Sequence, residues 1–534
     1  MRTNFNSGVT ILAALLLTGA SSCTKNFESY NTDPTRLSPG QSISIIAQAY
    51  GPLQQAIYAD YQTAQNLNAD GYAGYMTSPT NFSSSLNDQT YTLIDGWSRS
   101  AFVDQYNQVM APVAKIAATG IPTSHPDMWA VALLVQVEAM DRVTDRFGPI
   151  PYSKAGTSFT GIPYDSQQAV YNLFFSQIDT AVTNLKAYLG SNPADTVNLG
   201  TGDLVYQGHY DKWLKFANSL RLRLAMRIVK ADPATAQAQA EKALNDPGGL
   251  LTTPADDAKF AQSGGRNNDV WLVTFSYGDC RMGAALTTYM NGYNDPRLPV
   301  YASPITGQRI IDSLGAGKYA GIRLGTFVNK SLYGGYSSPN TNSAFSQTAS
   351  QYLMTAAEVW FLKAEAALRG WSGAGDVKTD YETGVNTSFQ QWGVSGGNYL
   401  NDATSVETDY KDAFDSTNVY NTKAVSTITI KWDPAATDEV KLERIITQKW
   451  LAVYPDGQEA WADFRRTGYP KLFPVAVNTS GGLIDTKTQI RRLAYPQIEY
   501  QTNGTAIASA VQNLLGGPDN GGTRLWWDVN KANF

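Results

Sequence analysis

The sequence predicts a mostly α protein in which tetratricopeptide-like helix pairs form a scaffold beside a loop-rich, irregular second half. Three observations lead there. Apolar residues recur at helical spacing through several long segments, these segments come in pairs that set bulky residues against alanine, and the chain from 247 to 351 loses the helical period. No strict repeat of roughly 34 residues runs through the chain, so the repeats are degenerate and interrupted.

The first 22 residues hold one charge, Arg2, an apolar run over 9–17 and small residues over 19–22, directly before Cys23. That order predicts a signal peptide over 1–22. Its run is shorter than the ~20 residues of a bilayer-spanning helix. Cys23 stands where bacterial signal peptidase leaves a thiol for diacylglycerol, with Ala20 in place of the usual Leu and Ser22 in place of Gly or Ala. Cys23 therefore reads as lipidated, its acyl chains holding the protein to a membrane at ~0.8 kcal/mol per buried CH₂. Residues 23–40 read as a lipid-anchored tether and 41–534 as one domain. Cys280, with no disulfide partner left and no neighbouring His or CxxC, reads as a packed cysteine.

The scaffold occupies about 41–246 and 352–470. Residues 128–147 form a long apolar helix, and 169–189 repeat through Val170, Leu173, Phe174, Ile178, Val182 and Leu185. In 211–230 the stripe is Trp213, Phe216, Ala217, Leu220, Leu224 and Ile228, with Arg221, Arg223 and Arg227 largely off it; 234–244 is a short partner. From about 247 to 351 the chain is rich in Gly, Pro, Asn, Ser and Tyr, which reads as a functional surface rather than a linker. Helices resume at 352–370, with Ala357, Trp360, Phe361, Ala364 and Leu368 on one face and Gly370 as the stop, and 380–393 completes that pair. Residues 439–454 turn at Pro455–Gly457 into 458–470, and the tail from 471 to 534 reads as irregular. Trp213, Trp360, Phe361, Trp450 and Trp461 sit on stripes and belong to the core.

Composition excludes some partners. Charged residues are only 16%, no Lys/Arg cluster exists, and the formal charge of −5 becomes −6 without Arg2, which argues against nucleic acid. Thirty Tyr and twelve Trp on so lightly charged a chain suit neutral polar ligands. Catalysis finds little support. Glu358 and Glu365 share a helix face, but Glu365 can pair with Arg369 at i+4, so packing explains them better than an acid/base pair. His125 and His209 lie in no nucleophile or HExxH motif, so no catalytic residue, metal ligand or cofactor is expected. Arg465 and Arg466, beside Asp463 and Glu459, read as local ion pairing at a helix end.

Six segments carry a family resemblance: DRFGPIPYSKA (145–155), WLKFANSLRLRLAMR (213–227), NDPRLPVYASP (294–304), AAEVWFLKAEAALRGW (356–371), QKWLAVYPDGQEAWADFRRTGYPKL (448–472) and RRLAYPQIE (491–499). In order and across nearly the whole mature chain, they resemble the SusD/RagB outer-membrane lipoproteins of Bacteroidetes, and more closely the second SusD-like subfamily. The resemblance implies four tetratricopeptide-like helix pairs supporting a loop-rich half. It also implies a non-catalytic protein, anchored in the outer membrane and facing the cell exterior, that binds oligosaccharides or polysaccharides. Delivery would be to a TonB-dependent SusC-like β-barrel transporter. The alternative cargo is an oligopeptide, as for RagB-type members; a helical glycosidase or a pure interaction scaffold are the further alternatives.

Glycan binding calls for flat aromatic faces plus hydrogen-bonding side chains. Two regions supply them. In 69–100 the candidates are Tyr72, Tyr75, Asn81 and Trp97, with Tyr91 nearby; from 267 to 342 they are Trp271, Tyr277, Arg281, Tyr333 and Tyr336. For any single aromatic here, packing or transporter contact is the commoner role.

Overall fold

The computed structural model describes residues 39–158, 161–192 and 198–534. The signal peptide, Cys23 and nearly all of the tether lie outside the described residues. Ten helices organise the scaffold: α1 (Asp95–Gln105), α2 (Ala111–Ala118), α3 (Pro126–Phe147), α4 (Gln167–Ser191), α5 (Tyr210–Arg227), α6 (Pro233–Leu244), α7 (Ala356–Leu368), α8 (Val377–Gln391), α9 (Asp438–Val453) and α10 (Gly457–Thr467). α3 packs on α4, α5 on α6, α7 on α8 and α9 on α10, while α4–α5, α5–α7 and α7–α9 contacts join one pair to the next.

Local chemistry sets these boundaries. The side chains of Ser166, Asp232, Thr355, Asp376, Thr437 and Asp456 each accept a backbone N–H at the first turn of α4, α6, α7, α8, α9 and α10. Gly370 stops α7 with φ +72°, a conformation that disfavours any side chain. The bulky-against-small pattern also has a visible cause: at Gly384 of α8 a Cβ would come within 3.0 Å of the Phe361 ring on α7.

Trp213, Phe361, Trp450 and Trp461 are fully buried, as their stripes predict. Trp360 is half-buried instead, with Lys363 Nζ 3.8 Å from its ring centroid. The arginines of α5 lie off the stripe yet do not reach solvent. Arg221, Arg223 and Arg227 are buried, because carboxylates from other helices receive them. Arg223 donates to both oxygens of Glu358 on α7, at 2.8 and 2.7 Å, and to Glu138 on α3. Arg227 pairs with Asp145 of α3 at 2.9 Å and with Glu459 of α10. Lys449 of α9 meets Glu459 at 2.8 Å and Asp463 at 2.7 Å. Glu365 pairs with Arg369 at 2.8 Å, and Arg466 reaches both Glu365, at 2.6 Å, and Asp463. One ionic spine thus threads α3, α5, α7, α9 and α10. Arg466 therefore does more than pair locally, and Arg465 donates to the backbone carbonyls of Asp145 and Arg491 while stacking over Trp461.

Two small antiparallel ladders complete the fold. β1 (Met76–Thr77) pairs with β3 (Arg281–Met282), and β2 (Ala258–Phe260) with β4 (Gln351–Met354). The region 247–351 holds only short elements, the longest being Ala284–Gly292, whereas the tail carries two helices that the sequence reading missed, α11 (Gln497–Thr502) and α12 (Gly504–Asn513). Among the described residues no helix is long and apolar enough to cross a membrane.

Candidate ligand-binding site

The β1–β3 ladder joins the two aromatic regions, setting Met76 opposite Met282 and Thr77 opposite Arg281. Its continuation needs a glycine: a Cβ on Gly283 would lie 2.2 Å from the Gly74 carbonyl oxygen. A third segment, 330–337, is tied to the same strand. Arg281 donates through Nε and Nη2 to the Gly334 carbonyl, at 2.8 and 2.6 Å. The Met282 N–H donates to the Ser337 carbonyl at 2.8 Å, which keeps that segment in line with β3. Asp279 gathers the rest, accepting from Thr80 Oγ1 at 2.5 Å, Lys330 Nζ at 2.8 Å and Gln62 Nε2 at 3.3 Å. Lys330 also donates to the Tyr277 carbonyl at 2.9 Å.

Beside this junction the chain makes one turn of π-helix, Leu272–Ser276, after a short helix that the Asn268 side chain caps. The turn sets Trp271 and Phe275 in a parallel stack, centroids 5.0 Å apart and planes 24° apart. Phe275 is 67% exposed and Tyr277 45%, so two aromatic faces stand open to solvent beside half-buried Trp271. Tyr277, with Leu272 and Val273 of the turn, lines a cleft of about 560 Å³ that also includes Asp60, Gln62, Arg266, Asn267 and Asp269, whereas Trp271 and Phe275 adjoin these residues in the chain without lining it. Of its charged lining residues, Arg266 pairs with Asp269 at 2.6 Å and Asp60 has no ion-pair partner among the described residues; outside the lining, Lys330 pairs with Asp279. Burial raises the Asp269 carboxyl to about 6, against the opposing pull of Arg266.

The structure divides the sequence-predicted residues. Asn81 is exposed, and Trp97 is half-buried against the edge of Phe82 at 5.8 Å; Trp97 lies on α1 rather than in a loop. Trp271 and Tyr277 belong to the open platform. Arg281 is spent on the carbonyls of Gly334 and Cys280, so it braces the site from beneath. Tyr72 and Tyr75 lie in the core, because each ring fills a contact with a scaffold tryptophan. Tyr72 meets Trp461 at 5.1 Å, and Tyr75 stacks on Trp450 at 5.4 Å while its hydroxyl donates to the Trp450 carbonyl. Tyr91 is also buried. Tyr333 and Tyr336 stack on each other at 5.5 Å inside a satellite core with Ile305, Ile310 and Ile322, and present no free face.

Sequence reading missed Phe275, Asp60, Gln62, Arg266, Asn267 and Lys330. For Phe275 a signal existed: it lies four residues after Trp271, the spacing that puts two rings together on a helical turn. The polar residues carried none, since chain reversals bring them in. Glu358 and Glu365 are buried and engaged by Arg223, Arg369 and Arg466, so neither faces the cleft. Cys280 is buried, its thiol pushed up to about 12 by burial. Among the described residues no group of three or more His, Cys, Asp or Glu side chains is placed to hold a metal ion.

The sequence profile of the family described as "SusD-like: Susd and RagB outer membrane lipoprotein" matches residues 29–528. Among solved structures, a chitin-binding SusD homolog from Flavobacterium johnsoniae is similar at 42% identity and TM-score 0.86, over 92% of this chain and 100% of that one. A SusD homolog from Bacteroides uniformis is similar at 37% and 0.83, over 91% and 99%. One from Bacteroides vulgatus is similar at 36% and 0.84, over 91% and 98%. No curated protein matches the chain.

Proposed function

Because the chain belongs to the SusD and RagB family of outer-membrane lipoproteins, we propose that it binds oligosaccharides without cleaving them and passes them to a TonB-dependent SusC-like transporter. Cys23 is the lipid attachment point in this reading, and the protein faces the cell exterior. The observation that carries the cargo assignment is the exposed Trp271–Phe275 stack with Tyr277 beside a polar cleft. Sugar C–H faces lie on such rings while amides, carboxylates and guanidinium groups around them meet the hydroxyls. Asp60 is the one cleft charge without an ion-pair partner among the described residues, and so small a net charge favours a neutral glycan over a strongly charged peptide. The Flavobacterium johnsoniae relative is described as chitin-binding, so β-linked N-acetylglucosamine oligomers are the first cargo to try.

The test is a glycan and peptide array with the chain from Thr24 onward, followed by titration of chitooligosaccharides. Trp271→Ala and Phe275→Ala each weaken binding by about tenfold or more, since covering one such ring is worth roughly 1.5–3 kcal/mol. Trp97→Ala, at a ring half-buried against Phe82 on α1, has a smaller effect. Peptide binding alone, or sugar binding indifferent to both platform substitutions, would sink the reading.

A further inference from the structure

A second cavity, of about 430 Å³, opens between α1, α2, the first half of α3, residues 151–158 and α11. It shares no lining residue with the cleft at Tyr277. Its walls are Phe102, Tyr106, Met110, Val113 and Trp129, with the Phe102 and Tyr106 rings 5.3 Å apart. A cavity of this size and apolar character is what a small-molecule ligand requires.

The charged side chain in its lining is a carboxylate. Among the described residues no Lys or Arg lines the cavity, whereas Glu499 does. Glu499 Oε2 accepts from the Tyr164 hydroxyl at 2.6 Å, and the carboxylate has no ion-pair partner among the described residues. Asp165, held by the N–H groups of Tyr152 and Ser153, adds a second negative charge nearby. Burial first, then Glu499, and with smaller shares the neighbouring tyrosines and Asp165, hold the Tyr106 phenol well above its ordinary range. An anion entering here meets repulsion, and a neutral apolar guest strips water from Glu499 without replacing it. A cation satisfies the carboxylate and gains from the ring faces together.

We propose that this cavity binds a small organic cation with an apolar body, an aryl- or alkylammonium, seated between Glu499 and the faces of Tyr106 and Trp129. The cleft at Tyr277 plays no part in it.

Titration calorimetry on the folded chain would use three probes of one shape: phenethylammonium chloride, phenethyl alcohol and sodium 3-phenylpropionate. The ammonium binds, the alcohol binds at least about tenfold more weakly and the carboxylate not at all, given the strength of a charge-assisted contact. Glu499→Gln brings the ammonium down to the level of the alcohol. Ala114→Phe, which fills the cavity from its exposed rim, abolishes all binding while the chitooligosaccharide titration stays unchanged. The comparison of the three probes decides the matter on the unmodified chain, so it holds even where Glu499→Gln fails to fold. Equal affinity for ammonium and alcohol, no binding of the ammonium, or an ammonium that binds Ala114→Phe normally would each overturn the proposal.

Discussion

Tyr75 and Phe275 have the same kind of side chain in opposite employment. The Phe275 ring is largely exposed and touches only Trp271 among the aromatic neighbours, so its loss reaches the ligand and leaves the core alone. Tyr75 is fully buried between Trp450 and Tyr454, with its hydroxyl on the Trp450 carbonyl. Removing only that hydroxyl orphans a buried acceptor, at a cost of roughly 1–3 kcal/mol. Tyr75→Phe therefore lowers the denaturant midpoint and leaves glycan affinity as it was; an unchanged midpoint with weakened binding would put Tyr75 in the site after all. Composition made both residues candidates, and nothing local separates them. What separates them is whether a scaffold tryptophan from 375 positions away arrives to cover the ring, which no window of sequence contains.

Helices were the most legible level. The eight segments singled out all contain helices; caps such as Asp376 and Thr437 begin the turn a few residues earlier, whereas 352–354, read as helix, belong to β4 and Thr355 starts α7 after them. The tail was less legible, because α12 is short and follows directly on α11, so neither carries enough turns to show a stripe. Helix pairing makes its own prediction. Gly384→Ala should gain about 1 kcal/mol of helix propensity, but the new methyl would press on the Phe361 ring at 3.0 Å. Overpacking of this kind costs roughly 1–3 kcal/mol, so the substitution should destabilise the protein in denaturant melts. A rise in the midpoint would mean that the α7–α8 contact has room to spare.

At the scale of the molecule, buried carboxylates govern the response to pH. Burial pushes Asp88, Asp257 and Glu407 up to about 7 and Asp70 up to about 6. Each holds its proton more firmly folded than unfolded, so across the window from about pH 4 to those values stability falls as pH rises. Glu365 runs the other way. Burial alone would raise it, but Arg466 and Arg369 bring it down to about 2. Its contribution is present above about pH 4.5 and is lost as pH falls towards 2. The thermal midpoint should therefore peak near pH ~4 or just below and decline on both sides; a midpoint that climbs steadily from about pH 5 to 8 would contradict it. None of this was legible beforehand. Arg223 and Arg227 read as residues off an apolar stripe, and only the packing of five helices turns them into the centre of a buried network.

The matched charges at the cleft bear on where the protein can work. Arg266 is neutralised by Asp269 and Lys330 by Asp279 before any ligand arrives, which leaves Asp60 as the cleft's one charge without an ion-pair partner among the described residues, and an uncharged sugar feels little of so small a net field. Ionic strength then has little to screen. Chitooligosaccharide affinity should stay within about twofold between about 0.05 and 0.5 M NaCl, where the Debye length shrinks from more than ~10 Å to a few ångströms. Titrations at the two salt concentrations would reveal a tenfold loss if free charge were doing the holding. If the proposed sugar cargo holds, such a site would keep its grip in brackish and dilute surroundings alike.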